Sequence, residues 1–196
     1  MKKKIMILAV LLTFVLGTSL AYASTITTLD FEGLDQTGKV AVGNYYEGVT
    51  FTKAVNTVGG EYLNTDLFPP HSGNTALHSY RAYPAIGAIF DTSAGKVTEV
   101  SFWYTSLYDI TLTAYNALGA VGEVTGAGNI GTSSFLSISF DEGMTGVVVR
   151  NSHNVSSYII DDFTWVDPPN PVPEPATLLL LGLGLVGLAT LRRKKA

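Results

Sequence analysis

Between Ser24 and Asp167 no run of even ten residues spaces its apolar side chains as a helix would, whereas apolar–polar alternation recurs along the whole stretch. Val100, Phe102 and Tyr104 share one parity. Ile110, Leu112 and Ala114 alternate with Thr111, Thr113 and Tyr115, and Leu136, Ile138 and Phe140 alternate with Ser137 and Ser139. A period of two turns one set of side chains to a core and the other to solvent, the mark of half-buried strands. Thr25 to Glu32, rich in threonine and β-branched residues, reads as the opening strand. Turn-forming residues punctuate the pattern at Gly59-Gly60, Pro69-Pro70, Ser72-Gly73-Asn74, Asn116 to Gly119 and Asp141-Glu142-Gly143. Short strands spaced about 8–12 residues apart predict an all-β domain. The expected architecture is an antiparallel two-sheet β-sandwich, a jelly roll of about eight to ten strands.

The two ends follow different rules. Lys2, Lys3 and Lys4 precede an apolar run from Ile5 to Leu16, and Ala21-Tyr22-Ala23 supplies a small-x-small cleavage pattern. Residues 1–23 therefore read as a Sec-type signal peptide, with the mature chain starting at Ser24. At the other end, residues 168–175 hold five prolines in eight positions, a stiff extended stalk. Residues 176–191 follow as an apolar segment, and 192–196 as a basic tail. Sixteen residues make a helix of about 24 Å, short against the roughly 20 residues a bilayer core asks for. The segment is expected to be a transmembrane helix, its basic cluster held in the cytoplasm and the domain outside.

Residues 24–167 thus form one expected domain of ordinary size. They keep only five of the 12 cationic residues (Lys39, Lys53, Arg81, Lys96, Arg150) against 15 acids, a net charge near −10. Nucleic acid and other polyanions would be repelled from such a surface, whereas cations and neutral polymers suit it. The chain has no cysteine, which excludes disulfides, thiol catalysis and thiolate metal sites in an exported protein.

Val172-Pro173-Glu174-Pro175, the Leu/Gly-rich segment 176–191 and Arg192 to Lys195, in that order behind a signal peptide, closely resemble the PEP-CTERM sorting signal of Gram-negative bacteria. The resemblance implies recognition by an exosortase, a membrane protease expected to cut near Pro173-Glu174-Pro175. It also implies delivery to the cell surface or extracellular matrix, often beside exopolysaccharide and biofilm. Leu29-Asp30-Phe31-Glu32-Gly33, Tyr46-Glu47-Gly48-Val49-Thr50-Phe51 and Tyr158-Ile159-Ile160-Asp161-Asp162-Phe163 resemble galactose-binding-like and carbohydrate-module jelly rolls. That likeness implies a structural Ca²⁺ held by Asp161 or Asp162 with Glu32 or Asp30, the hard oxygen donors calcium prefers. By simple alternation Asp161 shares a face with Ile159, Phe163 and Trp165, where a carboxylate is costly unless paired or bonded. The alternative is an edge-exposed acidic pair that ends the strand.

Glycans are usually held by aromatic faces beside a few polar groups. The candidate contacts are Tyr45, Tyr62, Tyr80, Tyr83 and Tyr108, with the alternative that each is a core or rim residue. Gly126-Ala127-Gly128-Asn129-Ile130-Gly131 matches G-x-G-x-x-G literally, but a strand pattern follows where a dinucleotide site needs a helix, so it reads as a loop. His71, His78 and His153 show no metalloprotease spacing, and there is no G-x-S-x-G elbow. The sequence therefore points to a non-enzymatic, exported protein that binds glycan. A self-associating structural or adhesive matrix subunit is the alternative, and an exported glycan hydrolase a third reading.

Overall fold

The computed structural model of the protein describes residues 22–34, 39–61, 63, 65–80, 84–91, 96–168 and 170–171. The signal-peptide core with Ala21, the residues Pro173, Glu174, Pro175, Arg192 and Arg193, the segment 176–191, Tyr62 and Tyr83 lie outside the described residues. Among the described residues no helix is long and apolar enough to cross a membrane. The chain divides into two units. In the terminal unit, a two-residue strand β1 (Tyr22–Ala23) pairs antiparallel with β13 (Asn170–Pro171), Ala23 opposite Asn170.

The second unit, Ser24–Pro168, holds the remaining strands. They are β2 (Ile26–Leu29), β3 (Val49–Thr52), β4 (Ala54–Val58), β5 (Thr75–Ser79), β6 (Ala85–Phe90) and β7 (Val97–Ser106), then β8 (Ile110–Asn116), β9 (Gly119–Gly126), β10 (Ser134–Met144), β11 (Gly146–Asn151) and β12 (Tyr158–Val166). A six-stranded sheet runs β10-β7-β12-β5-β4, with β2 also on β12, and a five-stranded sheet runs β3-β6-β11-β8-β9. Every pairing is antiparallel. The chain crosses repeatedly from one sheet to the other, as a jelly roll does.

The fold class is thus the expected antiparallel sandwich, with one strand more than the upper expectation. At Lys53 a φ of 60° turns a corner between β3 and β4, so that one short stretch of chain serves both sheets. The opening strand stops at Leu29 because Phe31 takes φ 61° and drops its ring into the core. Asp141-Glu142-Gly143, expected as a turn, lies within β10, where the register on β7 shifts and Gly143 takes φ 80°.

The core lies between the sheets. Val100, Phe102 and Tyr104 of β7 face Ile110, Leu112 and Ala114 of β8, with Ile86, Ala88, Val147 and Val149 beside them. Phe163 sits at the aromatic centre, its ring centroid 5.2 Å from Phe51 and 6.4 Å from each of Phe90, Phe102 and Trp165. The fully buried Tyr158 donates its hydroxyl hydrogen to Val149 O at 2.9 Å, joining β12 to β11, and burial holds its pKa well above the usual value. Phe163→Ala would leave a cavity between four rings. It is expected to destabilise the domain by about 3–5 kcal/mol, read from the urea midpoint, with Phe163→Leu costing clearly less.

Candidate functional site

One edge of β12 is shared by two strands in succession. Ile159 and Ile160 pair with His78 and Leu77 of β5, and Phe163 to Val166 pair with Leu29 to Ile26 of β2. The handover falls at Asp161 and Asp162, where the register on β7 also shifts and Asp162 takes φ 45°. This bulge corrects the expectation of simple alternation. Asp161 lies opposite Trp103, and one inserted residue returns Phe163 and Trp165 to the core side. Asp161 therefore does not share the core face of Phe163 and Trp165.

Asp161 is nevertheless only 1% exposed, because the turn leading into β5 covers it. Its Oδ2 accepts the Ser72 N–H at 2.8 Å and its Oδ1 accepts the Asp162 N–H at 2.8 Å. Asp162 accepts the Ser72 hydroxyl on Oδ1 at 2.8 Å and meets His71 Nδ1 on Oδ2 at 2.5 Å. Glu32, just past β2, accepts the N–H groups of Asn74 and Thr75 on Oε1 at 2.7 and 2.6 Å. Asp30 accepts the Glu32 N–H at 3.2 Å. Gly73 (φ 51°) has no room for a side chain, since a Cβ there would run into the Glu32 carboxylate. The four acids singled out in the sequence thus converge on one seam. Both oxygens of Asp161 and of Asp162 accept bonds there. Among the described residues no group of three or more His, Asp or Glu side chains is arranged to hold a metal ion.

Beside the seam, the outer face of the six-stranded sheet carries three aromatic rings. Trp103 and Phe135 are directly paired across β7 and β10 with centroids 5.6 Å apart, edge to face. His71 lies flat on Trp103 at 3.7 Å and 7°. Phe135 is 53% exposed. Next in the chain to His71 is an open depression of about 530 Å³ lined by Gly59, Gly60, Thr65, Asp66, Pro69, Pro70 and Asn74. Neither Trp103 nor Phe135 is among the residues singled out in the sequence. Their signal was there: Val100, Phe102 and Tyr104 inward place Trp103 outward, and Leu136 inward places Phe135 outward.

Of the named tyrosines, the described ones, Tyr45, Tyr80 and Tyr108, occupy separate loops. Tyr45, 60% exposed, packs edge to face on Tyr46 and donates to Gly33 O at 2.7 Å. Tyr46 itself is pushed up to about 12 by burial and by the neighbouring Tyr45, Asp30 and Glu32. Tyr80 is exposed after β5, and Tyr108 stacks on His153 at 3.8 Å between β7 and β8. The three histidines are not clustered: His78 is buried, donates Nδ1–H to Ser79 O at 2.8 Å, and has its pKa lowered by burial. Gly126 ends β9, and residues 127–131 lie in the loop between β9 and β10.

Burial raises the Asp161 carboxyl from 3.8 to about 6, against the pull of the backbone N–H groups of Ser72, Asp162 and His71. A folded-state value above the unfolded one stabilises the protein fully below about pH 4, and that gain is lost as the pH rises through about 6. Asp161→Asn should flatten this segment. Its Tm relative to wild type is expected to rise between pH 4 and 7, by the equivalent of 1–3 kcal/mol in order of magnitude. Because the seam carboxylates accept bonds from the turn, a chelator such as EDTA is expected to leave the Tm unchanged. A fall of several degrees would put calcium among Asp30, Glu32, Asp161 and Asp162.

Residues 171–194 match the PEP-CTERM protein-sorting motif. No curated protein matches the sequence. Among solved structures, the K2 cleaved adhesin domain of Lys-gingipain is similar at TM-score 0.50 and 14% identity, over 72% of this chain and 99% of that one. The CBM22-1 xylan-binding domain from Paenibacillus barcinonensis Xyn10C aligns at TM-score 0.45 and 14% identity, over 78% and 99%. CBM29_1, a family 29 carbohydrate-binding module from Piromyces equi, aligns at 0.45 and 9%, over 74% and 91%. At such identities the likeness speaks to the fold alone. This chain carries a PEP-CTERM sorting motif, which implies export and C-terminal membrane anchoring of the precursor, attached to an all-β sandwich.

Proposed function

We propose that the protein is a non-enzymatic, surface-delivered β-sandwich of the Gram-negative envelope that binds neutral glycan on the outer face of its six-stranded sheet. Exosortase processing would release it from the membrane to the cell surface or matrix. The observation that carries the reading is the cross-strand pair Trp103–Phe135, two outward aromatics on rigid neighbouring strands with the Asp162–His71 hydrogen bond at their rim. Aromatic faces take up the apolar faces of sugar rings, and carboxylate and imidazole groups beside them bond hydroxyls. A net charge near −10 on residues 24–167 favours uncharged polymers over uronates and other polyanions.

Affinity electrophoresis of the full chain in gels containing hydroxyethylcellulose, galactomannan or the host's own exopolysaccharide tests this. Retardation by at least one of these polymers is expected, and Trp103→Ala should weaken it by about tenfold or more, in keeping with a lost stacking anchor. Retardation by none of them would sink the glycan reading. Concentration-dependent sedimentation without any sugar requirement would then favour the self-associating matrix subunit.

A further inference from the structure

The His71 imidazole makes the two contacts that a sugar ring would make at this place. Its plane lies parallel to the Trp103 indole at 3.7 Å, the geometry of an apolar ring face on an aromatic one. At its edge Nδ1 meets Asp162 Oδ2 at 2.5 Å, where a hydroxyl would donate to the same oxygen. The backbone on both sides of His71 is tied down. Pro69 O accepts the Thr105 hydroxyl at 2.9 Å, the Ser72 N–H and hydroxyl are held by Asp161 and Asp162, and Asn74 and Thr75 are held by Glu32. The His71 side chain is 35% exposed. It can rotate off the indole without breaking any of these anchors.

We infer that Trp103 and Asp162 form a monosaccharide subsite for a neutral pyranose, which His71 occupies as a displaceable internal stand-in. The inference rests on the glycan reading of this sheet face and adds where one ring sits and what it must replace. A sugar that displaces the imidazole takes over its stack on Trp103 and donates a hydroxyl to Asp162 Oδ2. The carboxylates of Asp161 and Asp162 oppose a uronate there. Apparent affinity in wild type is then reduced by the small fraction of molecules with His71 swung out.

The test uses the full chain in a detergent without a sugar head group. Affinity for hydroxyethylcellulose, galactomannan and polygalacturonate is measured for wild type, His71→Ala, Asp162→Asn and His71→Ala/Trp103→Ala. Acrylamide quenching of tryptophan fluorescence is followed in parallel, with the buried Trp165 as a constant background. His71→Ser serves as a second uncapped variant should the alanine form fail to fold. Removal of His71 is expected to tighten binding to a neutral polymer about tenfold and to raise Trp103 quenching, while polygalacturonate stays unbound. Asp162→Asn should weaken binding, and the double variant should lose it. Equal or weaker binding by the uncapped variants, with binding still dependent on Trp103, would overturn the inference and leave the glycan reading intact. Should no variant bind any polymer, the glycan reading fails instead, and unchanged quenching on removing His71 would overturn the cap as well.

Discussion

The geometry of the candidate site depends on a single inserted residue in β12. Without the bulge at Asp161–Asp162, alternation would carry the parity of Asp161 on to Phe163 and Trp165, and the aromatic centre of the core would turn outward. The bulge needs the φ of 45° at Asp162, a conformation that aspartate tolerates better than most residues because its short side chain bonds locally. The local bond at the bulge runs from the Asp162 N–H to Asp161, and Asp162 itself grips the distant Ser72. The residues that distort the strand are therefore the residues that fasten the turn over the distortion. This reciprocity explains how a nearly inaccessible carboxyl is tolerated outside the core. Its desolvation is offset by backbone donors from the neighbouring residue and from the distant turn at His71 and Ser72.

Much of the architecture was legible in the sequence because alternation and turn chemistry are local. The inward parity of β7, β8 and β10 follows from three or four residues apiece, and the structure places those side chains as the parity requires. What escaped is what a period-two reading cannot see. The corner at Lys53 and the turn at Phe31 are positive-φ positions occupied by residues with no general preference for them. The bulge at Asp162 depends on β2 and β5 meeting on one edge of β12, a long-range event. The acids were legible as a group, since a carboxylate inside an apolar strand invites an explanation. Their partners were not, because backbone N–H groups of residues 72, 74 and 75 leave no trace in residue type.

The aromatic face is an instructive omission. Tyrosines in loops drew attention as loop aromatics, yet the rings that stand together are a tryptophan and a phenylalanine on strands, with a histidine laid over one of them. Strands hold side chains at fixed spacing, and paired positions bring two rings within contact from residues 32 apart in sequence. The outward parity of a bulky aromatic, opposite a well-defined inward set, was the more informative signal.

The shared edge of β12 has a mechanical meaning. β12 is an inner strand of its sheet, bonded to β7 on one side and to β5 and then β2 on the other. The sequence beyond it runs straight into the proline-rich segment. Tension applied at the C-terminal end of this domain reaches an inner strand first. Yielding then requires many ladder hydrogen bonds on both edges to shear together, where an edge strand peeled from its end would lose its bonds singly.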